Sequence, residues 1–208
     1  MPDRVVQDFP IFALELVALP SEVVPLHIFE DRYRTMMAEA LDDDSEFGIV
    51  WSGPDGLHDV GCAMEITSVI ERLEDGRLNI LTAGTRPFRI IELGADLPYP
   101  TATVEFLFDA EEPVDDDALQ TARDVYAELV EEATDKEPEP ERLAAMDAYA
   151  MAATVDFGSE AKQQLLDLRS EAARLRLVTR LIRAAVKRLE FVERALARAR
   201  SNGKVRFG

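Results

Sequence analysis

The chain has 208 residues, 47% of them hydrophobic, and a formal charge of −18, which fits a globular protein with a real core rather than a disordered one. So acidic a chain is a poor general binder of nucleic acid, because phosphate recognition needs a basic surface to release counterions. Its single cysteine, Cys62, excludes an internal disulfide and fits a reducing compartment, and no apolar run reaches the roughly 18 residues of a membrane span.

Charge is unevenly placed: Arg174 to Arg206 holds eleven Lys or Arg against Glu190 and Glu193, leaving everything before it strongly acidic. The asymmetry points to a partner, or to the tail docking on its own acidic body. Met1-Pro2-Asp3-Arg4 lacks the charged-then-apolar layout of a signal peptide, so a cytoplasmic protein is expected. The scarcity of Lys beside Arg and Ala suggests a bacterial source.

The first half reads as β-rich. Phe9 to Leu19 is extended, with Pro10 marking a strand start or edge, and Val23 to Phe29 resumes the pattern after Pro20-Ser21-Glu22. From Glu30 the spacing of Tyr33, Met36, Met37, Ala40 and Leu41 becomes helical. Three acids, Asp42 to Asp44, oppose a helix dipole at its C-terminus, so the helix should end by Leu41 or Asp42. Strands follow over Phe47–Trp51 and Gly61–Leu73. Asp75-Gly76 turns the chain into Leu78–Ala83; Gly84 then precedes strands over 87–93 and 101–108. Such spacing, with one early helix, suggests a small closed or partly closed barrel.

After the acidic connector 109–114 the pattern is helical. Asp115 to Asp117 offer a cap and first turn for a helix carrying Leu119, Ala122, Val125, Tyr126 and Leu129. A second helix carries Leu143, Met146, Tyr149, Ala150 and Ala153, and a short third begins at a Ser159 cap. The last is long: Leu175, Val178, Ile182, Ala185, Leu189, Val192 and Leu196 form a heptad seam. Leu177, Leu181, Val186 and Phe191 widen its apolar face, which favours a bundle, while a homodimer through this helix remains open.

Chemistry is sparse. His27 reads as a barrel residue, His58 as a loop residue and Cys62 as a buried, inert thiol; their spacing does not suit zinc. No phosphate-binding glycine loop, serine elbow or Ser-x-x-Lys pair occurs. Glu30 and Arg32 with Tyr33 look like a brace at a strand-to-helix junction. No catalytic, cofactor-binding or metal-binding residue is assigned, and no enzymatic activity is expected.

The stretch Pro25-Leu26-His27-Ile28-Phe29-Glu30-Asp31-Arg32-Tyr33-Arg34, with Phe9-Pro10-Ile11-Phe12, Phe47-Gly48-Ile49-Val50, Val60-Gly61-Cys62 and Lys162-Gln163-Gln164-Leu165-Leu166, resembles the N-terminal substrate-binding domain of ATP-dependent Lon proteases. The resemblance is to the stand-alone bacterial proteins of that domain and covers about residues 9 to 198; Ala13 and Ser21 depart where proline and glycine are common. It implies an α+β fold: a PUA-like β-barrel with an inserted helix, over 1–112, followed over 113–208 by an α-helical bundle ending in a long helix. It also implies a non-enzymatic module that captures unfolded or tagged polypeptides, an adaptor or regulator in protein quality control alongside a protease or chaperone, with a groove between barrel and bundle. Pro25 would direct the chain, and Phe29 and Tyr33 would anchor the helix to the barrel. A small-molecule-binding barrel and a PUA-like RNA-binding protein are the alternatives; neither a membrane nor a cofactor is implied.

Overall fold

Strand parity sets the inside of the first half of the protein. In β2 (Val23–Ile28), Val24, Leu26 and Ile28 are buried while Val23, Pro25 and His27 face out, the period-two pattern of a half-buried strand. The computed structural model describes residues 4–95, 98–110, 112–113 and 115–202. The other strands are β1 (Val5–Leu14), β3 (Phe47–Gly53), β4 (Gly56–Leu57), β5 (Val60–Arg72), β6 (Leu78–Leu93) and β7 (Thr101–Phe106). The helices are α1 (Asp31–Asp43), α2 (Asp116–Thr134), α3 (Pro140–Ala144), α4 (Ala148–Ala152), α5 (Ser159–Asp167) and α6 (Glu171–Asn202). Contacts divide the chain into two compact units, Met1–Glu112 with Ala152–Ser170, and Pro113–Met151 with Glu171–Gly208. The helical half of the sequence is therefore split between them.

In the first unit five strands pair in a ring, β1-β7-β6-β5-β3, which the parallel β1–β3 pairing closes. β2 and β4 lie off that ring, and register shifts interrupt the pairings of β1 with β7 and of β5 with β6, so the sheet is not a clean barrel. One shift lies at Asp8, whose φ is 53°. Phe9, Ile11, Val50, Ala63, Phe88, Ala102, Val104 and Phe106 form a buried cluster. Phe88 meets Phe9 edge-on with ring centroids 5.4 Å apart. Gly48 and Gly61 make room for its ring, since a Cβ on either would come within 2.5 or 2.7 Å of it. Full burial of such a ring stabilises the fold by about 2–3 kcal/mol.

β6 is longer than the sequence pattern predicts, because Gly84 and Pro87 do not interrupt it. Its pairing with β2 ends at Ala83 and that with β7 begins at Phe88, while β5 pairs along it through Pro87, opposite Cys62; the Pro87 carbonyl still accepts from the Leu107 N–H at 2.9 Å. α1 also outruns its expected end: Asp42 and Asp43 stay helical, and Asp44 closes the helix in the left-handed region with its N–H on the Ala40 carbonyl. The cap of α5 is Gly158, with φ 79°, one residue before the expected Ser159, which becomes the first helical residue. It belongs to the first unit, where Leu165 and Leu166 are buried and the Gln163 Nε2 donates to the Val60 carbonyl at 3.1 Å.

The second unit is built on α2 and α6. Asp115 caps α2 by accepting from the Ala118 N–H at 3.1 Å. Ala122, Val125, Tyr126 and Leu129 of α2 are buried, as are Leu175, Val178, Ile182 and Val186 of α6. The predicted second helix is two pieces, α3 and α4. Asp147 separates them by accepting from the Ala150 N–H at 2.8 Å, an N-terminal cap where an unbroken helix would have run on. Glu171 ties α4 to α6: it accepts from the Ala148 N–H and pairs with Arg174, whose guanidinium lies 4.3 Å over the Tyr149 ring. Leu196, the last member of the predicted seam, lies outside the described side chains.

Candidate functional site

The outward row of β2 runs on past the strand, through Val23, Pro25 and His27 to Phe29, which is 60% exposed. This corrects the expectation that Phe29 anchors the helix. Tyr33 does that together with Met36 and Met37, being buried with its ring 4.2 Å from that of Phe12. Parity already contains the result, because Phe29 shares the phase of Val23, Pro25 and His27. The apolar identity of Phe29 conceals it. Arg32 covers the other side of Tyr33 at 4.6 Å and pairs with Glu30 at 3.2 Å, forming the expected brace.

His27 is held rather than free to turn. Its Nδ1 lies 2.6 Å from the Asn79 Oδ1, and the Asn79 Nδ2 donates to Glu71 at 2.9 Å. With the amide oriented by Glu71, Asn79 presents an acceptor, so the contact is a hydrogen bond donated by the His27 Nδ1. The imidazole stacks against Phe29 with ring centroids 6.0 Å apart. Among the described strands β2 pairs with β6 alone and is thus an edge, the position where a proline such as Pro25 is tolerated.

Beside that edge lies a groove of about 380 Å³, lined by Leu16, Val17, Val23, Pro25, Ala153 and Val155, with Glu22, Thr154, Asp156 and Lys162 as its polar members. All of these residues belong to the first unit. Lys162 Nζ meets the Glu22 Oε1 at 2.5 Å, with the two side chains only 14% and 13% exposed. The second oxygen of Glu22 accepts from the Leu19 N–H at 3.0 Å. One carboxylate thereby fixes both the turn before β2 and the start of α5. Apolar walls with a few convergent polar groups are the composition of a binding groove. Nothing local in the sequence joins Glu22 to Lys162, since 140 residues separate the ion pair.

Cys62 is fully buried, and burial pushes its thiol far above the usual range, which keeps it protonated and inert. His58 stacks on Trp51 at 4.4 Å. Arg86 pairs with Glu46 at 2.5 Å and covers the Phe106 ring at 4.1 Å. Among the described residues no group of three or more His, Cys, Asp and Glu could hold a metal ion, and no helix is long and apolar enough to cross a membrane.

Residues 8–184 match the family model of the ATP-dependent protease La (LON) substrate-binding domain. Lon protease 2 of Myxococcus xanthus is 29% identical over 202 residues, which cover 85% of this chain and 23% of that protease. Lon protease of Anaeromyxobacter dehalogenans is 27% identical over 191 residues, covering 80% of this chain and 22% of its own. The chain thus spans less than a quarter of either protease. The fold is shared with the Lon N-terminal domain protein from Xanthomonas campestris (TM-score 0.63, 19% identity, 82% of this chain and 96% of that one). It is shared equally with the N-terminal domain of the Mycobacterium avium complex Lon protease (TM-score 0.62, 21% identity, 85% and 98%). On the match over 8–184, this chain belongs to the Lon substrate-binding domain family.

Proposed function

We propose that the chain is a non-enzymatic binding module that takes up extended segments of unfolded or tagged polypeptides along β2. It would act as an adaptor or regulator for a protease or chaperone, in the cytoplasm that its lone thiol suits. The observation that carries the reading is the exposed row Val23, Pro25, His27 and Phe29 on an edge strand, running beside an apolar groove. An extended polypeptide can hydrogen-bond to such an edge through its backbone and place alternate side chains in the groove.

Fluorescence anisotropy of labelled, unfolded model peptides tests this. Phe29→Ser removes about 1–2 kcal/mol of apolar contact and should weaken binding roughly tenfold. Val23→Asp should weaken it further by placing an unpaired charge in the groove. No saturable binding at tens of micromolar, or binding indifferent to both substitutions, would leave the proposal without support.

A further inference from the structure

The hydrogen bonds at the head of β2 fix which way its backbone groups point. The Gly84 N–H donates to the Glu22 carbonyl at 2.9 Å, and the Ser21 N–H donates to the Gly84 carbonyl at 2.8 Å. From there the register runs on through Val24 with Thr82, Leu26 with Ile80 and Ile28 with Leu78. Bonding direction alternates residue by residue along an antiparallel ladder, so the N–H and C=O of Val24, Leu26 and Ile28 point to β6. Two side chains agree with this phase. Thr82 donates to the Val24 carbonyl at 2.8 Å from the β6 side, and Thr67 of β5 reaches the Leu81 carbonyl at 3.0 Å on the opposite side of β6.

The backbone groups of Val23, Pro25 and His27 therefore point to the open edge. All three residues are exposed, and among the described residues no hydrogen bond engages their main-chain N–H or C=O groups. Pro25 has no N–H to offer. The edge thus presents three carbonyls but only two donors, Val23 and His27, which stand about 13 Å apart at strand rise.

Resting on the polypeptide-binding reading of β2, we infer that Pro25 sets the bonding rule of that edge and is its specificity-determining residue. A guest strand is clamped at Val23 and at His27, and the guest carbonyl that faces Pro25 goes unpaired. The guest must therefore be extended over about five residues to reach both clamps. Guest residues that donate to the carbonyls of Val23, Pro25 and His27 alternate along it, and a proline at any of them costs a bond. The rule also separates a foreign segment from a second copy of this chain. A foreign strand loses one ladder bond to Pro25, whereas two β2 edges laid together lose one at each proline. With each net bond changing affinity by about threefold to tenfold, Pro25 favours the foreign strand by that factor. It blunts the edge against its own kind while leaving it usable by others.

Amide hydrogen exchange and fluorescence anisotropy on the full chain test the rule, with a labelled, unfolded, proline-free peptide as the probe. Bound peptide should slow exchange at the Val23 and His27 N–H groups. Those of Val24, Leu26 and Ile28, already bonded to β6, should change little. Pro25→Val supplies the missing donor and keeps an apolar side chain of similar size, so affinity should rise about threefold to tenfold and the new N–H at position 25 should also be protected. Pro25→Ala should do the same, which leaves a second variant to decide if circular dichroism shows the first to be unfolded. Protection at Val23 and His27 with neither gain in the folded variants would overturn the inference while leaving polypeptide binding at β2 in place. Saturable binding that protects neither Val23 nor His27, or no saturable binding at all, would sink the inference and the reading together.

Discussion

Lys162→Met should destabilise the first unit out of proportion to the single charge it removes. The substitution preserves the aliphatic reach of the side chain but leaves the Glu22 carboxylate, 13% exposed, with only the Leu19 N–H as a charge-stabilising partner. Stranding a fully buried charge costs about 3–5 kcal/mol, and the residual water contact here lowers the expectation to about 2–3 kcal/mol. Adding Glu22→Gln removes the stranded charge while keeping an oxygen for Leu19. The double variant should therefore recover about 1–2 kcal/mol relative to Lys162→Met, a coupling that a double-mutant cycle isolates. Urea unfolding followed by Trp51 fluorescence suits the measurement, because the sole tryptophan lies in β3 and reports the first unit separately from the second. A loss under 0.5 kcal/mol with no coupling would refute the reasoning. The pair would then be one more surface contact, and its place at the groove would be incidental.

Ser21 sits at φ 66°, so Ser21→Gly should stabilise the first unit by about 0.5–1 kcal/mol, read from the same transition. Gly84→Ala should do the reverse: its Cβ would lie 2.1 Å from the Leu19 carbonyl oxygen, so the turn before β2 must move, at a cost of about 2 kcal/mol or more and with weaker polypeptide binding. Burial, then the hydrogen bond it donates to Glu39 at 2.5 Å, pushes the Tyr99 phenol up to about 12 from its usual 10. A phenol raised on folding contributes stability that is fully present below pH 10 and is lost as the pH rises towards 12. The difference in tyrosinate absorbance between the wild type and Tyr99→Phe should accordingly have its midpoint near 12; a midpoint near 10 would show that the Glu39 contact does not hold.

Local signals made much of the fold legible. The alternation at Val24, Leu26 and Ile28, the Asp75-Gly76 turn and the Asp115 cap all depend on neighbours within a few residues, and each gives the observed element. What stayed hidden depends on distant partners. Pro87 reads as a strand boundary until β5, paired with β6 on both sides of it, shows what carries the strand through. The second predicted helix breaks because Asp147 finds a nearby N–H, a competition that apolar spacing at Met146, Tyr149 and Ala150 does not record. The groove was illegible for the same reason, since Glu22 and Lys162 meet only after β2, β5 and α5 have assembled. Phe29 is the exception: its exposure followed from parity, and its hydrophobicity argued the wrong way.

The parallel pairing of β1 with β3 has a consequence for synthesis. β1 is made first, yet both its neighbours in the ring come later, β3 after the crossover through β2 and α1, and β7 only at Thr101–Phe106. On a translating ribosome β1 therefore keeps one unpaired edge until β7 has emerged, displaying Phe9, Ile11 and Phe12 to whatever is near. A nascent chain arrested before Phe106 should be a chaperone client and protease-sensitive in β1, and one arrested beyond the ribosomal tunnel's length past Phe106 should be neither.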